Sequence, residues 1–144
     1  MNCPFCEYNN VKNITVIEND LAFAFPTNIP IVPGHILVCP KRHVKYYEDL
    51  TGEEKVAIEE LRHELKKALK KTFGAEGFNY AWNEDKAGGQ SVSHFHLHVV
   101  PRKEGDTGIY DYEPRKFLYR PGPREVSTPQ AELIEVAKLI KKVL

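Results

Sequence analysis

Three histidines alternate with apolar residues in the run His94-Phe95-His96-Leu97-His98. A β-strand points every second side chain to one face, so a strand here would hold the three imidazoles in a row, about 6.6 Å apart. Phe95, Leu97 and Val99 would point to the opposite face, where we expect a core. Imidazole is a nucleophile, a base and a metal ligand near neutral pH. This run is therefore the first place to look for chemistry.

A second motif lies near the start of the chain, where Cys3 and Cys6 form a C-x-x-C pair. A redox motif would need a strand before the pair, and only two residues precede Cys3. Half of a zinc site fits better, provided that two more ligands exist. His43 and His94 would complete a Cys₂His₂ set, which is typical of closed structural zinc sites. The alternative is a pair of terminal thiols with no partner.

The length, charge and apolar content of the chain limit the kinds of molecule that we expect it to bind. The 144 residues suit one domain, 1–144, and 20 basic with 20 acidic side chains give zero formal net charge. Nothing global would attract nucleic acid or an anionic membrane surface, so we expect neither as a partner. No apolar run approaches the length of a membrane span. The first residues lack the features of a signal peptide, which favours a cytoplasmic protein with reduced thiols.

The elements that must position these residues are indicated by periodicity and turn signals. We predict strands over residues 15–18, 21–25, 35–39, 78–82 and 93–100. A capping box formed by Thr51 and Glu54 opens a helix that ends near Gly74. Its predicted apolar side carries Val56, Leu61, Leu65 and Leu69. His63, on the same helix, is expected at the surface.

A last helix is predicted to begin at Thr128 and Pro129, after an extended segment over residues 103–126. Its predicted apolar side carries Ala131, Ile134, Leu139 and Ile140. Strands, helix, strands and helix succeed one another without regular alternation. This order favours an α+β fold with a mostly antiparallel sheet.

The segment 83–100 resembles the signature of the histidine triad family. That signature is His-φ-His-φ-His-φ-φ preceded by Gly-Gln-Ser/Thr-Val, and Gly89-Gln90-Ser91-Val92 stands in that place here. Residues 33–43 resemble the upstream strand of the family. Residues 101–106 are similar to the segment after the triad in the fragile-histidine-triad branch, whose members hydrolyse dinucleoside polyphosphates. The resemblance covers roughly residues 1–106, with an extension and helix over 107–144. It implies a HIT-like fold with a five-stranded sheet, a main helix and a C-terminal helix.

The resemblance also implies catalytic roles for four histidines. His96 would attack an α-phosphorus and form a nucleotidyl-histidine intermediate, which water would hydrolyse. His98 would donate to an α-phosphate oxygen or to the leaving oxygen. His35 would support the triad histidines, of which His94 is the first.

The implied substrate-binding residues are Thr27, Asn28, Asn83, Gly89, Gln90, Ser91 and His98. Gln90 and Ser91 would supply donors, and the backbone at Gly89 could approach phosphate because glycine has no Cβ. Asn83 would face phosphate or ribose. Family members commonly carry an acidic or amide residue for the ribose where this chain has Thr27, next to Asn28.

By the same resemblance, Cys3, Cys6, His43 and His94 would hold a structural zinc ion, and the protein would be a homodimer. The expected substrate is a dinucleoside polyphosphate or a related nucleotide conjugate. A nucleoside phosphoramidate is the alternative substrate. Two other functions stay open: a metallohydrolase with zinc on the three triad histidines, and a nucleotide-binding module with weak catalysis. Three alternating residues span about 13 Å along a strand, which argues against a shared ion.

Overall fold

The computed structural model describes residues 3–7, 11–106 and 129–144. Five strands form one antiparallel sheet in the order β1-β2-β3-β5-β4. They are β1 (Ile17–Glu18), β2 (Ala22–Pro26), β3 (Ile36–Pro40), β4 (Gly77–Ala81) and β5 (Leu97–Arg102). In these ranges two α-helices accompany the sheet, α1 (Gly52–Phe73) and α2 (Gln130–Lys141), with short 3₁₀ helices at Tyr47–Asp49 and Lys86–Gly88. The predicted α+β class, with five strands and two helices, is confirmed.

The sheet separates two apolar clusters. The main core includes Ala24, Val38 and Val99 from the sheet and the buried face of α1. A second apolar cluster on the other face includes Phe23, Phe25 and Leu37. Successive residues of β2 alternate between the two clusters, as the period of a strand requires.

The histidine strand is shorter than predicted. β5 begins at Leu97, so His94 and His96 precede it, although Phe95, Leu97 and Val99 all enter the main core as expected. The pairing of β3 with β5 ends at Val38 and Leu97. Beyond that pair, the ring of His94 bonds the Pro40 carbonyl, with Nε2 2.7 Å from the oxygen. The His94 side chain thus takes the place of the next backbone hydrogen bond between β3 and β5.

Helix α1 begins where the capping box predicted. The Thr51 hydroxyl accepts from the Glu54 N–H at 3.0 Å, and a Glu54 carboxylate oxygen accepts from the Thr51 N–H at 2.9 Å. Gly74 ends the helix in the left-handed conformation, with φ +64°. The prediction for Val56 is wrong, because this side chain is 58% exposed. The buried apolar residues of α1 are Ala57, Ile58, Leu61, Leu65, Ala68 and Leu69, and Val56 lies one position outside this face.

Helix α2 begins one residue later than predicted, with Pro129 as its N-cap. Its buried face is Leu133, Ala137 and Ile140, so the prediction that Ala131 and Leu139 face the core is wrong. Leu133 belongs to the second apolar cluster, and Ala137 and Ile140 belong to the main core. The helix therefore contacts both clusters. The single domain over 1–144 stays a prediction, and most of the predicted extended segment lies outside the described residues.

Within the described ranges, neither helix combines the length and apolar character needed to cross a bilayer.

Candidate active site and metal centre

The hydrogen bonds of the site fix which nitrogen of each histidine carries a proton. His96 Nδ1 lies 2.9 Å from the His94 carbonyl oxygen. A carbonyl only accepts hydrogen bonds, so Nδ1 carries the proton and the lone pair of a neutral ring is on Nε2. His96 is 6% exposed and lines a cavity. The ring thus has the tautomer that a nucleophilic Nε2 requires.

Hydrogen bonds also determine which nitrogen of His35 and of His98 carries the proton. The Ile31 N–H donates to His35 Nδ1 at 3.1 Å, so the proton of a neutral His35 is on Nε2. His35 Nε2 lies 2.9 Å from His98 Nδ1 and donates to it. The proton of a neutral His98 is then on Nε2. The His35 side chain therefore sets His98 up as an N–H donor.

The rings of His96 and His98 meet at one cavity of about 260 Å³. Their centroids are 4.9 Å apart. Phe25, Leu37 and Leu133 supply apolar wall, and the predicted residues Thr27, Asn28 and Ser91 also line the space. The Thr27 hydroxyl accepts from the Ile29 N–H at 3.3 Å. An apolar pocket with a few convergent polar groups suits a small organic ligand.

The other predicted substrate-binding residues lie in the loop before Ser91 and do not line this cavity. The Gln90 side chain is buried, accepting from the Asp85 N–H at 2.9 Å and donating to the Lys45 carbonyl at 3.2 Å. Asn83 donates to the Gly88 carbonyl at 2.8 Å. Gly89 has φ +96°, a conformation that favours glycine. These contacts shape the loop, and direct substrate contacts from Asn83, Gly89 and Gln90 stay predictions.

Gln90 hydrogen-bonds to Asp85, a residue of this loop whose backbone conformation is strained. Asp85 has φ +62°, which is costly for a residue with a Cβ. Its N–H donates to the Gln90 side chain, and its carbonyl accepts from the Gln90 N–H at 2.9 Å. The Tyr46 hydroxyl donates to the Asp85 carboxylate and Lys45 pairs with it, and together they hold the pKa of Asp85 below the usual range.

The four predicted metal ligands come together. The potential ligand atoms of Cys3, Cys6, His43 and His94 all lie within 4.8 Å of one another. His94 Nδ1 is 3.5 Å from the Cys3 sulfur and 3.4 Å from the Cys6 sulfur, and His43 Nδ1 is 3.1 Å from the Cys6 sulfur. Ligands at the usual distances from a tetrahedral zinc ion are about 3.3–3.8 Å apart. The residues therefore fit a Cys₂His₂ zinc site.

The electrostatics of His94 agree with a ligand role. Burial lowers the pKa of this ring, which keeps it neutral near pH 7. Its Nε2–H donates to the Pro40 carbonyl, so the lone pair is on Nδ1, the nitrogen that faces the two thiols. Partial desolvation and the Cys3 thiol raise the pKa of Cys6 to about 11. A bound cation would oppose this shift by favouring the thiolate.

The three triad rings do not converge on a common ion. His94 faces the thiols, His96 Nδ1 bonds a carbonyl and His98 Nδ1 bonds His35. Across the described part of the chain, only the Cys₂His₂ set brings three or more metal-binding side chains together. The geometry therefore disfavours the metallohydrolase alternative.

Sequence reasoning missed most of the residues that form the apolar wall of the cavity, among them Phe5 and Leu133. Phe5, between the two cysteines, lines it together with Pro4. Leu133 of α2 reaches it from the far end of the chain. An aromatic residue inside the C-x-x-C motif was the available signal for Phe5. No local signal marked Leu133, because its position depends on how α2 packs.

The comparisons with known proteins agree with this geometry. The profile of the HIT domain family matches residues 9–105. A bis(5'-adenosyl)-triphosphatase from Dictyostelium discoideum is 34% identical over 123 residues, which cover 85% of this chain and 83% of that protein. An uncharacterized HIT-like protein from Mycoplasma pneumoniae is 40% identical over 117 residues, covering 80% of this chain and 81% of that one.

A zinc-bound histidine triad family protein from Mycobacterium smegmatis has a similar solved structure. It superposes with a TM-score of 0.76 at 27% identity, covering 99% of this chain and 93% of that chain. The fold, the alternating histidines and these matches define the class. This chain belongs to the HIT domain family.

Proposed function

We propose that this protein is a nucleotidyl hydrolase or transferase that cleaves dinucleoside polyphosphates at the α-phosphate through a covalent intermediate on His96. The observation that carries the proposal is the tautomer of His96, whose Nδ1–H donates to the His94 carbonyl at 2.9 Å. This bond leaves the lone pair on the nitrogen that would attack. The match to a bis(5'-adenosyl)-triphosphatase supports the substrate class.

The reaction has two steps. In the first, His96 Nε2 forms a bond to the α-phosphorus while the bond from that phosphorus to the bridging oxygen breaks. The leaving nucleotide departs with the electron pair of that bond as a phosphate oxyanion. In the second, water attacks the phosphorus, the P–N bond breaks with its electron pair returning to His96 Nε2, and the proton of the attacking water is released to the solvent. The products are two nucleotides, and His96 returns to its starting form.

His98 would act as a hydrogen-bond donor and not as a proton donor. Its Nδ1 accepts from His35, so a neutral ring has one proton, on Nε2. Removing that proton would create an imidazolate, which is too basic to form near neutral pH. A donated hydrogen bond, in contrast, stabilises charge on an α-phosphate or leaving oxygen without transfer of the proton.

The cavity fits one nucleoside better than a whole dinucleotide. Its volume of about 260 Å³ lies below the range of pockets that enclose drug-sized ligands. Phe25 and Leu37 would contact the base, and Thr27, Asn28 and Ser91 offer polar atoms to ribose and phosphate. The second nucleotide would extend out of the pocket as the leaving group. The same site could act on a nucleoside phosphoramidate, where nitrogen leaves in place of oxygen.

Zinc is the metal we propose for Cys3, Cys6, His43 and His94. Four protein ligands leave no open position, so the ion would have a structural role and would fix His94 and the N-terminal loop. All steps of the chemistry above involve other groups.

We also propose a homodimer, because β4 is an edge strand of the sheet with Tyr80 38% exposed and Trp82, just after it, 43% exposed. Sedimentation analysis that found a monomer at working concentration would contradict this. The cytoplasmic location stays a prediction from sequence.

The covalent mechanism is tested with His96→Asn. The amide keeps much of the shape of the ring but has no nucleophilic nitrogen, so turnover of diadenosine triphosphate should be lost while AMP binding persists within a few fold. His63→Asn is the matched control, because His63 is exposed on α1 and should keep normal turnover.

Trapping of the labelled intermediate under basic, denaturing conditions provides an independent test. Wild-type protein quenched during a single turnover of α-phosphate-labelled substrate at high enzyme concentration should retain label in an acid-labile, base-stable phosphoramidate. His96→Asn should retain none. Near-normal turnover by His96→Asn would refute the nucleophile assignment.

A further inference from the structure

One short loop belongs to both the metal centre and the cavity. Cys3 and Cys6 direct their sulfur atoms toward His94 and His43. Pro4 and Phe5, the two residues between them, line the cavity that contains His96 and His98. The loop thus has metal ligands at its ends and cavity wall in its middle.

Phe5 contacts three aromatic rings of the site edge to face. Its centroid lies 5.3 Å from that of Phe25, 5.3 Å from that of His96 and 5.8 Å from that of His94. Phe5 and Phe25 therefore form adjoining parts of the apolar wall, directly beside the proposed nucleophile. A flat base that entered the cavity would meet both rings.

The position of this wall depends on the anchors at its ends. Two backbone hydrogen bonds of the loop are internal, from Cys6 N–H and Glu7 N–H to the Cys3 carbonyl, at 3.1 and 3.2 Å. They set the turn but do not attach it to the sheet. The loop is attached by packing of Phe5 on the second apolar cluster and, at its two ends, by the thiol contacts to His94 and His43. Thiols form weak hydrogen bonds, whereas bonds to a metal would be strong and directional.

We propose that the metal ion at the Cys₂His₂ site increases the affinity for nucleotide, because it holds Phe5 in place as part of the base-binding wall. This inference rests on the proposed nucleotide function. Binding free energies are reciprocal, so nucleotide must raise the affinity for the metal by the same factor as the metal raises the affinity for nucleotide. The metal centre and the cavity are then two coupled binding sites that share one loop.

The coupling is measured by binding, with AMP and Zn²⁺ as the probes. Titration calorimetry should show AMP binding about tenfold more weakly to chelator-stripped protein than to zinc-loaded protein, as expected for loss of one aromatic contact to a base. Competition with a chromophoric chelator should then show Zn²⁺ bound about tenfold more tightly at saturating AMP. Equal AMP affinity with and without zinc would overturn the proposal.

Phe5→Ala tests whether Phe5 carries the coupling between the metal site and the cavity, without removal of the metal. In the zinc-loaded variant, AMP should bind about tenfold more weakly while the ratio of zinc to chain stays as in wild type. Stripping the zinc should then change AMP affinity by less than about twofold, because the wall is already missing. Phe78→Ala is the matched control. Phe78 is also half-buried but lies on β4, and this change should leave the coupling intact.

The outcomes separate this proposal from the function on which it rests. Zinc-loaded wild type that cleaves diadenosine triphosphate and binds AMP, but shows no coupling to zinc, would overturn the inference alone. Zinc-loaded wild type that neither cleaves this substrate nor binds AMP would overturn both. If stripped protein loses its circular dichroism spectrum, the loaded Phe5→Ala variant decides, and normal AMP affinity there would overturn the inference.

Discussion

The contact between His35 and His98 leads to a prediction about activity that does not involve the proposed nucleophile. His35 uses both ring nitrogens, accepting from the Ile31 N–H at 3.1 Å and donating to His98 Nδ1 at 2.9 Å. It is 3% exposed, so water cannot easily replace either partner. His35→Leu removes both hydrogen bonds and fills the position with an apolar side chain of moderate size. His35→Gln keeps one acceptor and one donor with a spacing close to that of the ring nitrogens.

The expected magnitudes come from the bonds that are lost. Two hydrogen bonds at about 1 kcal/mol each make His35→Leu about 2 kcal/mol less stable. This corresponds to a melting temperature about 4–8 °C lower for a chain of this size. A hydrogen bond from His98 to a charged phosphate oxygen is worth about 1.5–3 kcal/mol. Losing the tautomer and orientation that support it should lower kcat by about 10- to 100-fold.

The assay compares kcat and KM for diadenosine triphosphate in wild type, His35→Leu and His35→Gln. The loss should fall mainly on kcat, because in the proposed mechanism His98 donates to charge that develops during the reaction. His35→Gln should recover most of the rate and most of the melting temperature. The reasoning is refuted if His35→Leu turns over at the wild-type rate. It is also refuted if the glutamine variant is as slow as the leucine variant, because a relay of hydrogen bonds would then not be the cause.

Two further predictions concern stability. Metal analysis should find about one zinc per chain, and chelation should lower the melting temperature; a metal-free preparation of equal stability would exclude the Cys₂His₂ site. The Arg42 guanidinium donates to the buried Glu54 carboxylate at 2.7 and 3.1 Å and lowers the pKa of Glu54. The ionised Glu54 therefore stabilises the folded protein at pH values above the usual carboxyl pKa. This stabilisation is lost as the pH falls through the lowered pKa. Glu54→Gln should therefore cost about 1–2 kcal/mol at pH 7 in urea unfolding, and the cost should shrink toward pH 3. Glu59→Gln, at the exposed pair with Arg62, should cost less than about 0.5 kcal/mol, and an equal cost at both positions would contradict this account.

Features that depend on neighbours in sequence were predictable. The capping box of Thr51 and Glu54 is satisfied by residues three positions apart, and helix α1 begins there. Alternation along 95–99 predicted which side chains enter the main core, although the strand itself begins later. The convergence of Cys3, Cys6, His43 and His94 was predictable for a different reason, because the chain has few cysteines and histidines and a tetrahedral zinc site restricts their combinations.

Features that depend on distant contacts were not predictable. The Gln90 side chain bonds the backbone at Lys45 and Asp85, and nothing in the local sequence indicates that Lys45 lies nearby. The prediction of the buried face of α2 was wrong at Ala131 and Leu139. A short amphipathic helix has several apolar positions, and packing against the rest of the fold determines which of them are buried. The cavity wall from Phe5 required the fold that brings the first residues to the triad.

His94 explains why the three histidines of one motif have different chemistry. Its Nδ1 faces the thiols of Cys3 and Cys6, its Nε2–H bonds the Pro40 carbonyl, and its own carbonyl accepts the proton of His96. One residue thus joins the proposed zinc site, the end of strand β3 and the proposed nucleophile. Because its ring bonds Pro40 where the sheet ladder would otherwise continue, His94 is held apart from the face that lines the cavity. Of the three triad histidines, His96 and His98 line the cavity, one offering a lone pair and the other an N–H to the proposed phosphate chemistry.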